Sequence, residues 1–308
     1  MKSMNVNIFV LYLVVPFGIV QLSAFAQELE PRAITNVPVG TNFVAANYSY
    51  AQGNILFDPA LPLEDVQAKT HALIGGFVSS FNFFGMSAKL NVILPYAYGD
   101  WEGIYQAVDT TTQRNGMADL RFGFAFNFIG SPALKLSEFS TYEQNTIAGF
   151  SLQMIAPTGQ YFSDKLINLG SNRWAFRPQF GFSKKINTWY VEGALASWFY
   201  TRNRSFWDGN TLQQKPIGVT KLHLIKTLDK GVWLAFCLGY AYGGRSFVND
   251  QKSKATISTM RIGAVTSIPL KKSNSIKLMA FKAIRFEQGA DFFSLNIAYQ
   301  YNWNYRKN

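Results

Sequence analysis

The stretch LRFGFAFNF, residues 120–128, divides its side chains into two sets by parity. One set is a leucine followed by four phenylalanines, and the other contains Arg121, Gly123, Ala125 and Asn127. Successive side chains of a β-strand point to opposite faces, so the stretch predicts a strand with one large apolar face and one small or polar face. A soluble sandwich would bury the phenylalanines in a core, whereas a transmembrane barrel would turn them toward lipid.

The composition favours a chain that alternates apolar and polar residues along its length. Of the 308 residues, 16% are aromatic and only 15% are charged, whereas average domains contain roughly 25% charged residues. The mean hydropathy of +0.00 fits neither a bundle of transmembrane helices nor a disordered chain. The net charge is +11 without long runs of Lys and Arg, so we expect no nucleic-acid partner.

The first 26 residues have the pattern of a secretory signal peptide. Lys2 precedes the apolar stretch 8–20, and Ala24 and Ala26 form an A-x-A cleavage pattern before Gln27. A retained N-terminal anchor is the alternative, but the apolar stretch is too short to span a membrane as a helix. We therefore expect cleavage between Ala26 and Gln27, export of residues 27–308, and a periplasmic N-terminal arm at 27–40 that is followed by the folded domain.

The rest of the chain divides into about twelve strand-like segments separated by turn residues. Short connections such as KKINT alternate with long ones such as YFSDKLINLGSN, and EQGA is a short connection among the long ones. Bacterial outer-membrane barrels have this asymmetry, with short periplasmic turns and longer outer loops. One or two helical turns are expected at 132–144. We place the strands near 41–53, 66–82, 87–101, 117–130, 145–158, 174–186, 188–202, 217–228, 231–244, 255–269, 275–287 and 290–303.

Aromatic residues at the strand ends support a membrane barrel. Tyrosine and tryptophan cluster at 96–101, 198–200, 240–242 and 301–305, where they would form the two interfacial girdles. The sequence therefore predicts an all-β fold, an antiparallel transmembrane outer-membrane β-barrel of about 12 strands at 41–303, with a short C-terminal tail at 304–308. The even strand count predicts that both termini lie on the periplasmic side.

Several segments resemble one known family. They are EPRAITNVPVGTNF, LFDPALPLEDVQAKTHALIGGF, FGMSAKLNVILPYAYGDWEG, GMADLRFGFAFNFIGSPAL, APTGQYFSDKLINLGSNRWAFRPQFGFS and YAYGGRS. In this order, from about residue 30 to residue 303, they resemble the outer-membrane family named for the meta-pathway of phenol degradation. The resemblance implies an outer-membrane barrel that transports aromatic or hydrophobic compounds. It implies no particular functional residue.

Strand parity predicts which side chains line the lumen, the interior of the barrel. Among these candidates, the cations Lys89, Arg121, Arg177, Lys221 and Arg261 outnumber the single acid Glu192. A lumen lined mainly by positive charge would favour anionic solutes such as aromatic acids. The alternative is a structural ladder, in which these cations pair with acids of the arm or loops. The full set of lumen candidates is Lys89, Arg121, Asn127, Gln153, Arg177, Gln179, Glu192, Lys221, His223, Arg261 and Asn296.

Signals for catalysis or metal binding are weak. The two histidines, His71 and His223, lie on predicted strands outside any G-x-S-x-G element, and with Cys237 they form no metal-ligand spacing. We expect no catalytic residue, no metal and no cofactor.

The predicted function is therefore an outer-membrane channel or transporter, passing small hydrophobic or aromatic compounds through a narrow basic lumen. A barrel of twelve strands has an interior intermediate in width between small barrels that side chains fill and porins that hold an aqueous channel. The arm or a loop is therefore the candidate plug. The expected partners are outer-membrane lipid and the solute. The alternatives are a barrel enzyme acting on lipids, which a serine–histidine pair at one rim would favour, and a structural barrel with a filled lumen.

Overall fold

The computed structural model describes residues 29–56, 63–252, 256–271, 273–286 and 289–304. The predicted signal peptide, its cleavage site at Ala26 and Gln27, and the tail beyond residue 304 lie outside this part of the chain. In the described residues, no helix is long and apolar enough to cross a membrane. The predicted helical turns at 132–144 correspond to one short helix, α1 (Leu136–Phe139), in the connection between two strands.

Seventeen strands occur in the described residues, and they include all twelve strands that the alternation predicts. In chain order they are β1 (Thr41–Leu56), β2 (Leu63–Phe83), β3 (Met86–Tyr105), β4 (Val108–Met117), β5 (Arg121–Ile129), β6 (Thr146–Ile155), β7 (Ala175–Ile186), β8 (Trp189–Tyr200), β9 (Asn203–Phe206), β10 (Asn210–Gln214), β11 (Ile217–Thr227), β12 (Trp233–Gly243), β13 (Ser246–Val248), β14 (Gln251–Lys252), β15 (Ile257–Pro269), β16 (Asn274–Phe286) and β17 (Gly289–Asn304).

Twelve of these strands close into an antiparallel barrel. The order around it is β1-β2-β3-β5-β6-β7-β8-β11-β12-β15-β16-β17, and the first strand pairs with the last from Thr41 opposite Asn304 to Leu56 opposite Gly289. Strand β4 extends the barrel wall by pairing with the second half of β3. Strands β9, β10, β13 and β14 form a separate four-stranded sheet.

The connections confirm most of the predicted asymmetry between the two ends. The turns at 84–85, 187–188 and 270–273 lie at the end of the barrel that holds Thr41 and Asn304, which is the periplasmic end of an even-stranded barrel. The connection 130–145 is an exception, because it is long, contains α1 and lies at this same end. Several outer connections that appeared as loops in the sequence form strands β4, β9, β10, β13 and β14 instead.

The parity of residues 120–128 has the predicted consequence for burial. Arg121 and Asn127 are buried inside the barrel, while Phe128 is 43% exposed on the outside. On the outer face Phe124 contacts the rings of Phe83 and Phe126. Large apolar side chains alternate outward in this way because lipid surrounds the barrel and every second residue meets it.

We expect Phe124→Arg to destabilise the barrel by about 2–4 kcal/mol, because it would place a cation near the middle of the lipid-facing band. Phe128→Arg is the matched control, since it lies four residues nearer the periplasmic interface on the same face, where the cost falls to about 0–1 kcal/mol. Urea unfolding in lipid vesicles measures both free energies. Equal losses for the two variants would contradict the outward assignment.

Candidate functional site

All eleven side chains that strand parity assigns to the lumen are buried, with none more than 7% exposed. They come from eight different strands. Six of them line one cavity: Lys89, Asn127, Gln153, Arg177, Gln179 and Lys221. Which of them a solute would contact remains a prediction. Asn127 is already used within the wall, because its Nδ2 donates to Ser131 Oγ at 3.0 Å.

The N-terminal arm lies inside the barrel. Residues 29–40 precede β1, which begins at the periplasmic end, and Leu29, Val37 and Asn36 are all buried. The arm is held near its exit by the backbone N–H of Gly40, which donates to Ser80 O at 2.9 Å. The arm therefore occupies the position that the sequence left open for a plug, and the described part of it does not extend into the periplasm.

Charged residues of the wall hold the arm. Lys277 on β16 forms a buried ion pair with Glu30, and Glu192 on β8 accepts a hydrogen bond from the Arg32 backbone N–H at 2.7 Å. The ammonium of Lys89 on β3 donates to the carbonyl oxygens of Ala33 at 2.9 Å and Thr35 at 3.2 Å. Lys89 and Glu192, both predicted from parity to line the lumen, therefore also bind the chain's own N-terminal segment.

Two glycines of the wall receive apolar side chains of the arm. A Cβ atom added to Gly239 would lie 2.3 Å from Leu29 Cδ2, and one added to Gly181 would lie 2.2 Å from Ile34 Cδ1. A side chain at either glycine would force these methyl groups of the arm to shift. Leu29 also packs into a buried cluster that contains Cys237. The arm thus combines charge pairing with shape complementarity.

A second segment narrows the outer mouth of the barrel. In the loop between β6 and β7, Ile167 and Leu169 pack in the same buried cluster as Trp101 of the wall. The buried carboxylate of Asp119 fixes this loop by accepting hydrogen bonds from the backbone N–H groups of Gly159 at 2.9 Å and Ser171 at 2.8 Å. In the sequence this segment is only one of the long connections, and nothing local in it signals that it folds inward.

Arg173 anchors the end of this loop. Its Nη2 donates to Gln214 Oε1 at 2.6 Å, and its guanidinium lies 4.3 Å from the centre of the Tyr200 ring. Burial lowers the pKa of Arg173, and the nearby tyrosines and Asp119 oppose that shift. The hydrogen bond therefore joins the end of this loop to a glutamine on β10.

One cavity between the arm and the wall is small. It has a volume of about 70 Å³ and lies against strands β5, β6 and β7, with Lys89, Gln153, Arg177 and Gln179 among its lining residues. Such a volume accommodates a few waters, whereas an apolar cavity that binds benzene measures about 150 Å³. An aromatic molecule would therefore fit in this cavity only if the arm or the wall moved.

The histidines do not form a hydrolytic site in the described part of the chain. His71 lies on the outer face, with its Nδ1 2.7 Å from the hydroxyl of Tyr48. His223 is buried in the interior, and its Nδ1 has no hydrogen-bond partner. The interior serine Ser183 donates to Glu192 and not to a histidine. Across the same described ranges, no three His, Cys, Asp or Glu side chains are grouped so that they could hold a metal ion.

Most of the chain matches the profile of one known family. The profile of the family described as "Putative MetA-pathway of phenol degradation" matches residues 35–301. The chain belongs to this family. The match begins within the arm and ends in β17, so it covers all but the last three residues of the barrel of this MetA-pathway family member. No curated protein matches the chain.

Solved structures share the fold of this MetA-pathway family member. An outer-membrane channel from Pseudomonas putida F1 is 19% identical, with a TM-score of 0.76 over 90% of this chain and 100% of the other. The transport unit of the autotransporter AIDA-I from Escherichia coli is 10% identical, with a TM-score of 0.52 over 91% and 94%. The β-domain of the Bordetella autotransporter BrkA is 15% identical, with a TM-score of 0.50 over 86% and 100%. The protein is therefore an outer-membrane β-barrel located in the bacterial outer membrane.

Proposed function

We propose that the protein is a passive outer-membrane channel for small hydrophobic or aromatic compounds, and that the N-terminal arm is its plug. The observation that carries the proposal is that the barrel encloses a segment, residues 29–40, that precedes β1 and takes no part in the pairing of the strands. A barrel whose own strands filled the interior could not open without unfolding, whereas withdrawal of residues 29–38 would leave the strand pairing intact.

The proposed solute class rests on the family and on charge. The family description refers to phenol degradation, and the P. putida structure with this fold is named a channel. Interior cations such as Arg121 and Arg177 are buried on the lumen side of β5 and β7. A field of this sign concentrates anions, so aromatic carboxylates fit the lumen better than aromatic cations.

We expect proteoliposomes that contain the protein to take up labelled benzoate faster than labelled arabinose. Arg121→Gln combined with Arg177→Gln should lower the benzoate-to-arabinose ratio, most strongly at low salt, because screening limits the field to about 10 Å at 0.1 M. The matched control, Arg202→Gln combined with Arg204→Gln, removes the same charge from two exposed arginines outside the twelve strands of the barrel and should leave the ratio unchanged.

Uptake of both solutes at the rate of protein-free liposomes would contradict the channel. An unchanged ratio together with a large loss of barrel stability would instead favour the structural ladder, because removing a cation from a buried pair leaves its partner uncompensated. That second result would support the structural barrel with a filled lumen. The enzyme alternative has no observation in its favour, since neither histidine bonds a serine in the described chain.

A further inference from the structure

A cleft lies on the outer surface of the barrel at its extracellular rim. Its floor is formed by Pro216, Tyr242 and Thr256, which precede or end strands β11, β12 and β15 and lie on the outward side. The hairpin of β13 and β14 covers it with Phe247, which pairs with Lys252. The cleft has a volume of about 360 Å³.

Three cations converge on this cleft, and none of its lining residues in the described part of the chain is acidic. Lys215, Arg245 and Lys252 all line it. Arg245 Nη2 donates to Thr256 Oγ1 at 3.1 Å, which orients the guanidinium, while its buried Nε has no hydrogen-bond partner. The ammonium of Lys215 lies 5.8 Å from the centre of the Phe247 ring. The site therefore offers an oriented fork of donors and two further ammonium groups.

The cleft lies at the level of the membrane where lipid headgroups are found. Tyr240 and Tyr242 on β12 are 42% and 59% exposed on the outer face just below it. Tyrosines at such positions mark the boundary between the hydrocarbon core and the polar headgroups. At the extracellular end of a barrel this boundary belongs to the outer leaflet, whose glycolipid bears phosphate groups on its sugars.

A second cleft at the extracellular rim provides an internal comparison. It has a similar volume, about 340 Å³, and its lining includes Lys69 and Lys282 but also Asp100, Glu102 and Asp291. Its two lysines face three carboxylates, so this surface has no excess of positive charge. The cluster of cations without acids is therefore a property of the cleft beneath β13 and β14 and not of the rim in general.

We propose that Lys215, Arg245 and Lys252 bind a phosphate of the outer-leaflet glycolipid, with its sugar against Phe247 and Tyr242. Arginine matches phosphate with paired N–H donors, and lysines add point charges. Basic pockets at the membrane surface recognise lipid headgroups in this way. The glycolipid would stay bound at the outer surface of the barrel, so this site is independent of the passage of solutes through the lumen.

Native mass spectrometry of the detergent-purified, full-length mature protein, titrated with rough lipopolysaccharide, tests the proposal. Replacing Lys215, Arg245 and Lys252 by Gln should weaken binding roughly a hundredfold, from the attraction that each cation near the surface contributes. The matched control, Lys69→Gln combined with Lys282→Gln, should bind as the wild type does. Equal affinity of the triple variant and the wild type would overturn the proposal.

Further arms of the experiment separate the possible sources of the anion. The wild type should bind enzymatically dephosphorylated lipopolysaccharide far more weakly than it binds the intact lipid, and this comparison needs no variant to fold. If millimolar inorganic phosphate or benzoate displaced the bound lipopolysaccharide as effectively as added lipid does, the assignment to a lipid would be overturned. Heat-dependent gel mobility verifies that each variant is folded, and Lys252→Gln alone, at an exposed position, should weaken binding several-fold.

Discussion

Deleting residues 27–38 is expected to convert the protein from a nearly closed barrel to one with a several-fold higher single-channel conductance. The deletion removes the segment that contains Glu30, Arg32 and Ile34 while retaining Gly40 and all of β1. The strands alone would leave an interior wider than that of an eight-stranded barrel, whose side chains fill it. Planar-bilayer recordings of the deletion variant beside the wild type measure the change.

A disulfide lock provides the control for this deletion. A Cβ atom at Gly239 would lie 3.2 Å from Leu29 Cγ, so Leu29→Cys and Gly239→Cys place two thiols within bonding reach. Cys237→Ser belongs in the background, because the native thiol lies two residues away in β12. The oxidised variant should conduct no more than the wild type. Reduction of its disulfide should restore any opening that depends on movement of the arm. Equal conductance of the deleted, locked and wild-type proteins would show that the arm is not the plug.

Lys277→Met is expected to release the arm while the barrel stays folded. Lys277 is fully buried and Glu30 is 8% exposed, so the substitution leaves a carboxylate buried without its cation. Breaking a buried pair in this way costs about 3–5 kcal/mol. Since each 1.4 kcal/mol is tenfold in a population, the ratio of inserted to released arm should fall by roughly a hundredfold to several thousandfold.

A double variant and a surface variant make this result specific. Glu30→Leu combined with Lys277→Met replaces the ion pair by an apolar pair and should restore low conductance, because such replacements are close to neutral. Lys282→Met removes an exposed lysine from the same strand and should have no effect on conductance. Conductance reports on the arm, and the temperature of the gel-mobility shift reports on the barrel. A lower shift temperature with unchanged conductance would assign Lys277 to barrel stability alone.

The strands could be predicted because the membrane imposes a strict period of two on them. Residues 120–128 show this most clearly, since lipid selects Phe122, Phe124 and Phe126 while the interior selects the intervening small and polar residues. The same rule predicted lumen candidates on seven other strands, and all of these candidates are buried. By contrast, β4 lies beyond the hydrophobic band, and its mostly exposed side chains retain no apolar face to mark it as a strand.

The position of the arm could not be predicted from local sequence. Glu30 pairs with a residue 247 positions away, and Arg32 with one 160 positions away. Contacts at such separations leave no periodicity in the segments that make them. The sequence predicted cations in the interior and raised the possibility of arm acids as partners, but only the closed barrel shows that Lys277, absent from the candidates, is the one that pairs with Glu30.

The attachment of the arm to β1 places the arm beside the seam of the barrel. Strand β1 forms this seam with β17, which lies far from it along the chain, so no ring surrounds the arm until these two strands have paired. In an unclosed sheet the ammonium groups of Lys89 and Lys277 can be hydrated by bulk water. In the closed barrel both are buried, and the arm supplies the carboxylate and carbonyl oxygens that replace their hydration. Because the arm is joined directly to β1, these oxygen partners are already at the seam when the ring closes.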